Sequence, residues 1–428
     1  DYYASRGLGD VYKRQVIMSK NCIVAQSGGP TAAINASLAG VVAAARDFGI
    51  YDKIYGAIHG IQGVLKKHFL DLSDKDDAFI QKLARTPAMY LGSCRFKLPD
   101  MKDDVSMYEE IFSIFEEMNI GAFFYIGGND SMDTVAKLSA YAASIGNDIR
   151  IIGVPKTIDN DLIMTDHTPG FGSAAKYIAS SIREIAYDTY IYDLESVNII
   201  EIMGRDAGWL TAASVLARNE FSLAPHLIYL PEVAFDKEQF ITDLKEMVKK
   251  YKNVIVAVSE GIRDKDGNYI SATNAAADKF GHAQLSGAGK TLEYLVKEKL
   301  GIKVRSVEVN VLQRCAGHMA SMTDLTESFL SGKHAVVLAK NGESAQMVSL
   351  HRLSNAPYTY ELSNTPVSEV ANQAKEVPVS WITPDHHDVT AEMIAYLKPL
   401  VAGEVPTDYA DGIADYLDVS HLTKVYGK

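Results

Sequence analysis

The chain has 428 residues, 47% hydrophobic and 22% charged, with a formal net charge of −12; this allows two or three domains around a sizeable core. Its acidity excludes a general affinity for nucleic acid or an anionic membrane, so an anionic ligand must be captured by a local cluster of cations. Three cysteines (Cys22, Cys94 and Cys315) are too few and too scattered for a disulfide framework or a structural zinc site, and there is no apolar run of about 18 residues to span a membrane, so a cytoplasmic location is expected.

Residues 1–17 show neither an initiator methionine nor a clear period, whereas Met18-Ser-Lys leads directly into an apolar segment. We expect residues 1–17 to be a non-native or disordered extension and Met18 to be the natural start. Cys22–Ala25 reads as a strand, and Gln26-Ser-Gly-Gly-Pro runs into an Ala-rich helix ending near Phe48. Strand, glycine turn and helix N-terminus together suit an anion, but the spacing is not G-x-G-x-x-G, and such a turn often only closes a strand against a helix. Lys53–Ile58 reads as a second strand, and Leu91-Gly-Ser-Cys-Arg95 as a small-residue turn presenting Arg95. Tyr108–Met118 has helical period. Ala122–Ile126 is an apolar strand, followed by Gly127-Gly-Asn-Asp-Ser131 and a helix from about Met132.

The stretch Ile151-Ile-Gly-Val-Pro-Lys-Thr-Ile-Asp-Asn-Asp161 organises the rest. A buried strand ends at Pro155, which removes a ladder donor, and the loop beyond presents Lys156, Thr157, Asp159 and Asp161 where open α/β sheets bind ligands. Either carboxylate suits a proton acceptor or a divalent-cation ligand. Taken alone, the loop equally suits an Asx-type turn.

Gly170-Phe-Gly172 opens a long helix to about Tyr187. Strand Ser196–Ile202 ends at Met203-Gly-Arg205, and strand Asn253–Val258 at Ser259-Glu-Gly261. Lys303–Leu312 reads as another strand, with Arg305 and Arg314 near its ends. Gly289-Lys-Thr291 imitates a phosphate loop but has Gln284 in place of the first glycine, so Gly287 and Gly289 are read as glycines that start a helix. His386-His387 lacks zinc spacing. Beyond residue 346, a strand at Met347–Leu353 and an amphipathic helix at Thr390–Leu400 suggest packing roles.

Gly-Gly-Asn-Asp-Ser at 127–131, Pro-Lys-Thr-Ile-Asp-Asn-Asp at 155–161, Met-Gly-Arg at 203–205, Ser-Glu-Gly at 259–261 and Leu-Gln-Arg at 312–314 occur in this order. Over roughly residues 20–345 the chain resembles the pyrophosphate-dependent branch of the phosphofructokinases. The resemblance implies an α/β protein of two Rossmann-like lobes with mainly parallel sheets and the active site in the cleft between them. One lobe would comprise 18–170 plus about 313–360, and the other 171–312 plus about 361–428. It implies Asp159 as the base acting on fructose 6-phosphate, with Thr157, Asp161, Asp130, Lys156 and Arg205 as further catalytic residues. Thr157, Ile158, Asp159, Met203, Gly204, Arg205, Glu260, Gln313 and Arg314 would contact the sugar phosphate. Arg305 would be lent across a subunit interface of a homodimer or homotetramer. Gly29, Arg95 and Lys156 would bind pyrophosphate, and Asn129 would hold Mg2+.

ATP-using members of that family carry glycine where this chain has Asp130 and Lys156. A carboxylate ~4 Å from a phosphate charge costs about 1 kcal/mol in water-like surroundings and about 4 kcal/mol at an effective dielectric of 20, roughly fivefold to a thousandfold against a nucleotide. Lys156 adds a positive charge for pyrophosphate in the nucleotide's place. The alternatives are an ATP-dependent phosphofructokinase, which those two residues oppose, and a non-catalytic regulatory subunit, which the presence of Asp159, Lys156 and Arg205 opposes. Three departures bear on the site: Asn129 where many members have aspartate, Ser196 where many have a second arginine, and Val311 where a histidine or tyrosine is common.

Overall fold

The computed structural model describes residues 20–94, 96–271 and 287–423; residues 1–17, Met18, Arg95 and Gln284 lie outside it. In chain order the first elements are β1 (Lys20–Gln26), α1 (Ile34–Phe48), β2 (Tyr51–Ala57), α2 (Gly60–Leu65), β3 (Phe69–Asp71), α3 (Asp77–Arg85), α4 (Ser106–Glu117), β4 (Ile120–Gly127), α5 (Asn129–Ser144) and β5 (Arg150–Pro155). Next come α6 (Phe171–Tyr190), β6 (Ser196–Ile202), α7 (Trp209–Ala213), β7 (Leu227–Tyr229), α8 (Lys237–Tyr251), β8 (Asn253–Ser259), α9 (Ala288–Leu300) and β9 (Lys303–Glu308). Then follow α10 (Met322–Lys340), β10 (Gln346–Asn355), β11 (Tyr358–Pro366), α11 (Ala391–Leu397) and a small antiparallel pair, β12 (Tyr409–Ala410) and β13 (Ile413–Ala414).

Two sheets carry the architecture. The larger has the order β11-β10-β5-β4-β1-β2-β3, parallel except at β3 and β11, and the smaller, β7-β8-β6-β9, is parallel throughout. Strands covered on both faces read as unbroken apolar runs, and every residue of Ala122–Ile126 is at most 1% exposed. Helices α1 and α10 cross backbone to backbone: a Cβ on Gly40 would lie 2.0 Å from the Phe329 oxygen, and one on Gly332 2.0 Å from the Ser37 oxygen. No helix among the described residues is long and apolar enough to cross a membrane.

Two element ends differ from the sequence reading in ways that bear on the site. The strand expected over Lys303–Leu312 stops at Glu308, and Asn310–Arg314 form a tight helical turn. The Gln313 amide holds that turn by donating to the Asn310 oxygen at 2.8 Å while its own oxygen accepts from Met203 N–H at 3.3 Å. The helix expected from about Met132 begins three residues earlier, at Asn129. Gly127 makes room for it, since a Cβ there would meet Ser131 Oγ at 1.9 Å. At the far edge, β11 carries the large sheet to Pro366. The chain then crosses to pack α11 into the second lobe's core and returns, with Leu417 and Leu422 against the first.

Candidate active site

The carboxyl ends of β1, β4 and β5 in one sheet and of β6 and β8 in the other meet at a cleft of about 450 Å³. Gly28, Gly29, Asn129 and Asp130 line it beside the loop Lys156–Asp161; Arg205 and Glu260 face them from the second lobe. A third strip, Asn372–Ala374, comes from the C-terminal segment, which the sequence reading had left to packing. Nothing in the polar run Asn-Gln-Ala-Lys marks it as part of a site.

Which helix ends remain open to an anion is decided by internal carboxylates. At the start of α9, where the sequence imitates a phosphate loop, Glu201 already accepts from Gly287 N–H at 3.1 Å and Gly289 N–H at 2.8 Å. At the start of α6, Asp324 does the same for Gly170 and Ser173 at 2.8 and 2.9 Å. By contrast, Gly28 and Gly29 ahead of α1 and the first turn of α5 line the cleft, so the N–H groups of the glycine turn and the dipole of α5 face whatever enters it. The exposed Asp130 carboxylate stands at the second of these ends.

The glycines also let cations approach. The Lys156 ammonium donates to the Gly29 oxygen at 2.7 Å. A Cβ on Gly28, whose φ is +80°, would lie 3.0 Å from that Nζ, and one on Gly29 would lie 3.2 Å from Arg314 Nη1. Lys156 is 3% exposed. Burial pushes its ammonium down to about 8, against the pull of Asp159 and Asp161. Asp159 is half-buried on the cleft wall. Burial first, then the Asp161 charge, pushes it up to about 7, while Lys156, Arg205 and Arg314 act in the opposite sense. Burial likewise raises Asp161. Thr157 Oγ1 accepts from Asp159 N–H at 3.1 Å, so part of the local-turn reading is real, yet the Asp159 carboxylate remains available to the cleft.

In the second lobe, Gly204 takes φ +132°, accepts from Ser259 Oγ at 2.6 Å and donates to Glu260 at 3.3 Å, which turns Arg205 into the cleft. Gly261 is required behind it, because a Cβ there would sit 1.8 Å from the Arg205 oxygen. Burial pushes Glu260 up to about 7. The Nε atoms of Arg205 and Arg314 are buried without a hydrogen-bond partner among the described residues. Met203 is held through its N–H by the buried Gln313, and the Ile158 side chain lies in the second lobe's core. These three frame the site more than they face it.

Arg305 is set apart. It pairs in register with Asn198 near the start of β6, whereas the cleft lies beyond Ile202 at its end, roughly 15 Å away at ~3.3 Å per residue. Its half-exposed guanidinium is 3.9 Å from Asp188. Ser196 at the same end is tied to Asn253 at 2.9 Å, and Val311 is 48% exposed. Arg95 lies outside the described residues.

Asn129 opens α5 at the cleft. Its Nδ2 donates to the Gln373 oxygen at 2.8 Å, and its Oδ1 is buried with no hydrogen-bond partner among the described residues.

A profile described as Phosphofructokinase matches residues 21–339. The chain belongs to the phosphofructokinase family. Among curated family members it is 42% identical over 405 residues to the pyrophosphate–fructose 6-phosphate 1-phosphotransferase of Xanthomonas campestris pv. campestris, covering 94% of this chain and 96% of that one. To the enzyme of the same name from Rhodospirillum rubrum it is 42% identical over 394 residues, covering 90% and 95%. Among solved phosphofructokinase structures, the pyrophosphate-dependent phosphofructokinase of Nitrosospira multiformis superposes with a TM-score of 0.85 at 39% identity, covering 93% of this chain and 96% of that one.

Proposed function

We propose that this phosphofructokinase reversibly transfers a phosphoryl group from pyrophosphate to the 1-hydroxyl of fructose 6-phosphate, giving fructose 1,6-bisphosphate and phosphate. The observation that carries this is Lys156, a buried ammonium held against Gly29 on the cleft floor beside Asp159. In the forward direction the substrate O1 attacks phosphorus, the bridging P–O bond breaks and inorganic phosphate leaves. Asp159 accepts the hydroxyl proton, and its raised pKa suits it to release that proton near neutrality. Lys156 balances charge on the oxygens of the transferring group, where preorganised donors have most effect, and Arg314 contacts the sugar phosphate. Arg205 binds the sugar substrate from the second lobe. Asp130 stands where a longer nucleotide polyphosphate would carry further charge, and opposes it.

Magnesium fits the residues present. A small hard cation takes one or two protein oxygens together with substrate phosphates and water, and the unpartnered Asn129 Oδ1 is such an oxygen. When bound there, the ion would lower the charge on pyrophosphate. We further propose a homodimer or homotetramer in which Arg305, at the far end of β6, serves the 6-phosphate in a neighbouring chain's cleft, and a cytoplasmic location.

The test is fructose 1,6-bisphosphate formation by the purified chain with magnesium, pyrophosphate and ATP being supplied in parallel. Turnover with pyrophosphate that is lost in Asp159→Ala supports the reading. Equal turnover with ATP would overturn the assigned roles of Asp130 and Lys156, and inactivity with both donors would favour a regulatory subunit.

A further inference from the structure

Behind the catalytic loop runs a short segment, Asn372–Val377, that touches both halves of the site. On the first-lobe side, Asn372 Nδ2 donates to Asp133 at 3.1 Å and the Gln373 oxygen accepts from Asn129 at 2.8 Å. Lys375 N–H donates to the Asp161 oxygen at 2.7 Å. The Lys375 ammonium donates to the Asp166 oxygen at 2.7 Å, the Thr165 oxygen at 3.2 Å and Asn160 Oδ1 at 3.4 Å. It therefore grips the chain on both sides of Asp161. On the second-lobe side, the Lys375 oxygen accepts from Trp209 Nε1 at 2.9 Å, and its ammonium lies 5.3 Å from the Trp209 ring centre. Val377 N–H donates at 2.9 Å to the same Glu232 oxygen that accepts from Gly208 N–H at 2.7 Å, three residues beyond Arg205.

We propose that Asn372–Val377 is a strap that sets the catalytic loop and the Arg205 turn in register, with Lys375 as its positioning residue. Lys375 acts through Asn160, Asp161 and Asp166 and touches no substrate. The geometry explains the choice of lysine: three oxygens converge on one group, and an ammonium has three donors. The strap also fixes the Asn129 amide, since Gln373 engages its nitrogen and leaves its buried oxygen without a hydrogen-bond partner among the described residues. Donor side, base and sugar side thus share one rigid support, and a displacement of about 1 Å at such a support costs up to ~100-fold in rate.

This inference rests on the proposed reaction, so wild-type turnover with pyrophosphate is established first; its absence would defeat that reading without touching the strap. Lys375→Met keeps the stem over Trp209 and removes the donors. We expect kcat to fall about tenfold to a hundredfold, with both KM values within about threefold of wild type and with Lys375→Arg recovering part of the loss. A purely structural lysine would instead lower the melting temperature and leave kcat per folded molecule unchanged. That result, or wild-type kcat in the folded methionine variant, overturns the proposal. Should Lys375→Met not fold, Trp209→Phe decides, because it keeps the ring but cuts the tie to the Lys375 oxygen: a fall in kcat supports the strap, and wild-type kcat overturns it.

Discussion

The Lys156 ammonium donates to the Gly29 carbonyl oxygen at 2.7 Å, joining the turn after β1 to the loop after β5. The ends of two parallel strands on either side of β4 are thereby held at one point, and the positive charge is fixed there at the floor of the cleft before any ligand arrives. A charge placed in advance needs no reorganisation during the reaction.

Replacing that charge tests donor choice. Lys156→Met should lower kcat/KM for pyrophosphate by about 10² to 10³. Asp130→Gly combined with Lys156→Gly should weaken pyrophosphate use while relaxing the barrier to ATP. Both are read from sugar bisphosphate formation with each donor, and unchanged pyrophosphate kinetics in the double variant would sink the assignment.

Activity should follow a narrow bell in pH. In the proposed reaction Asp159 works deprotonated and is pushed up to about 7, and Lys156 works protonated and is pushed down to about 8, both chiefly by burial. kcat/KM therefore rises towards pH 7 and falls beyond pH 8. Lys156→Arg cannot lose its charge in this range, so its alkaline limb should move upward while the acid limb stays.

The same shifts govern stability, with the opposite sense from a surface ion pair. Between the ordinary 3.8 and about 7 the folded chain holds the Asp159 proton that the unfolded chain has released, so stability falls as pH rises through that window. Between about 8 and the ordinary 10.5 the folded chain has released the Lys156 proton that the unfolded chain keeps, so stability is regained as pH rises. Denaturant midpoints without substrate should be lowest between these windows, and Asp159→Asn should flatten the first decline.

Asn129 predicts the metal dependence. Asn129→Asp adds a charge beside the cleft and should lower the magnesium concentration giving half-maximal rate. Chelation should abolish turnover in both forms, and an unchanged magnesium requirement would remove Asn129 as a ligand.

The α1–α10 crossing is a separate test of the fold. Gly332→Ala would place a methyl 2.0 Å from the Ser37 oxygen, and overpacking of this kind costs about 1–3 kcal/mol. A cooperatively unfolding chain of this size should lose roughly 1 °C of melting temperature per kcal/mol. A variant as stable as wild type would mean that the helices separate freely.

What was legible in the sequence was local. Ala122–Ile126 followed by Gly127-Gly128, and Ile151–Val154 followed by Pro155, each state strand, stop and loop within a dozen residues, and the large sheet aligns both at the cleft. The strand over Lys303–Leu312 was overextended because Val307, Val309 and Val311 continue the period of two, whereas the turn at Asn310 is set by Gln313 reaching Met203, more than a hundred residues away. The strap was missed for a similar reason. Its partners Asp133, Asp161 and Trp209 are brought to it only by the tertiary fold.

Beta10 and β11 supply two of the large sheet's seven strands, and they come from residues 346–366, late in the chain. During synthesis β5 is therefore made long before its neighbour β10, and it must wait with one edge open, a state prone to mispairing. The reaction centre waits longer still. Asp159 is in place early, but the segment that ties down its loop follows more than two hundred residues later. Premature termination between β9 and the strap would leave both carboxylates and Lys156 on a chain that lacks their support, so such fragments should bind substrates poorly and need protection from aggregation. If the strap positions the loop, catalytic competence is acquired only after residue 377 has been made.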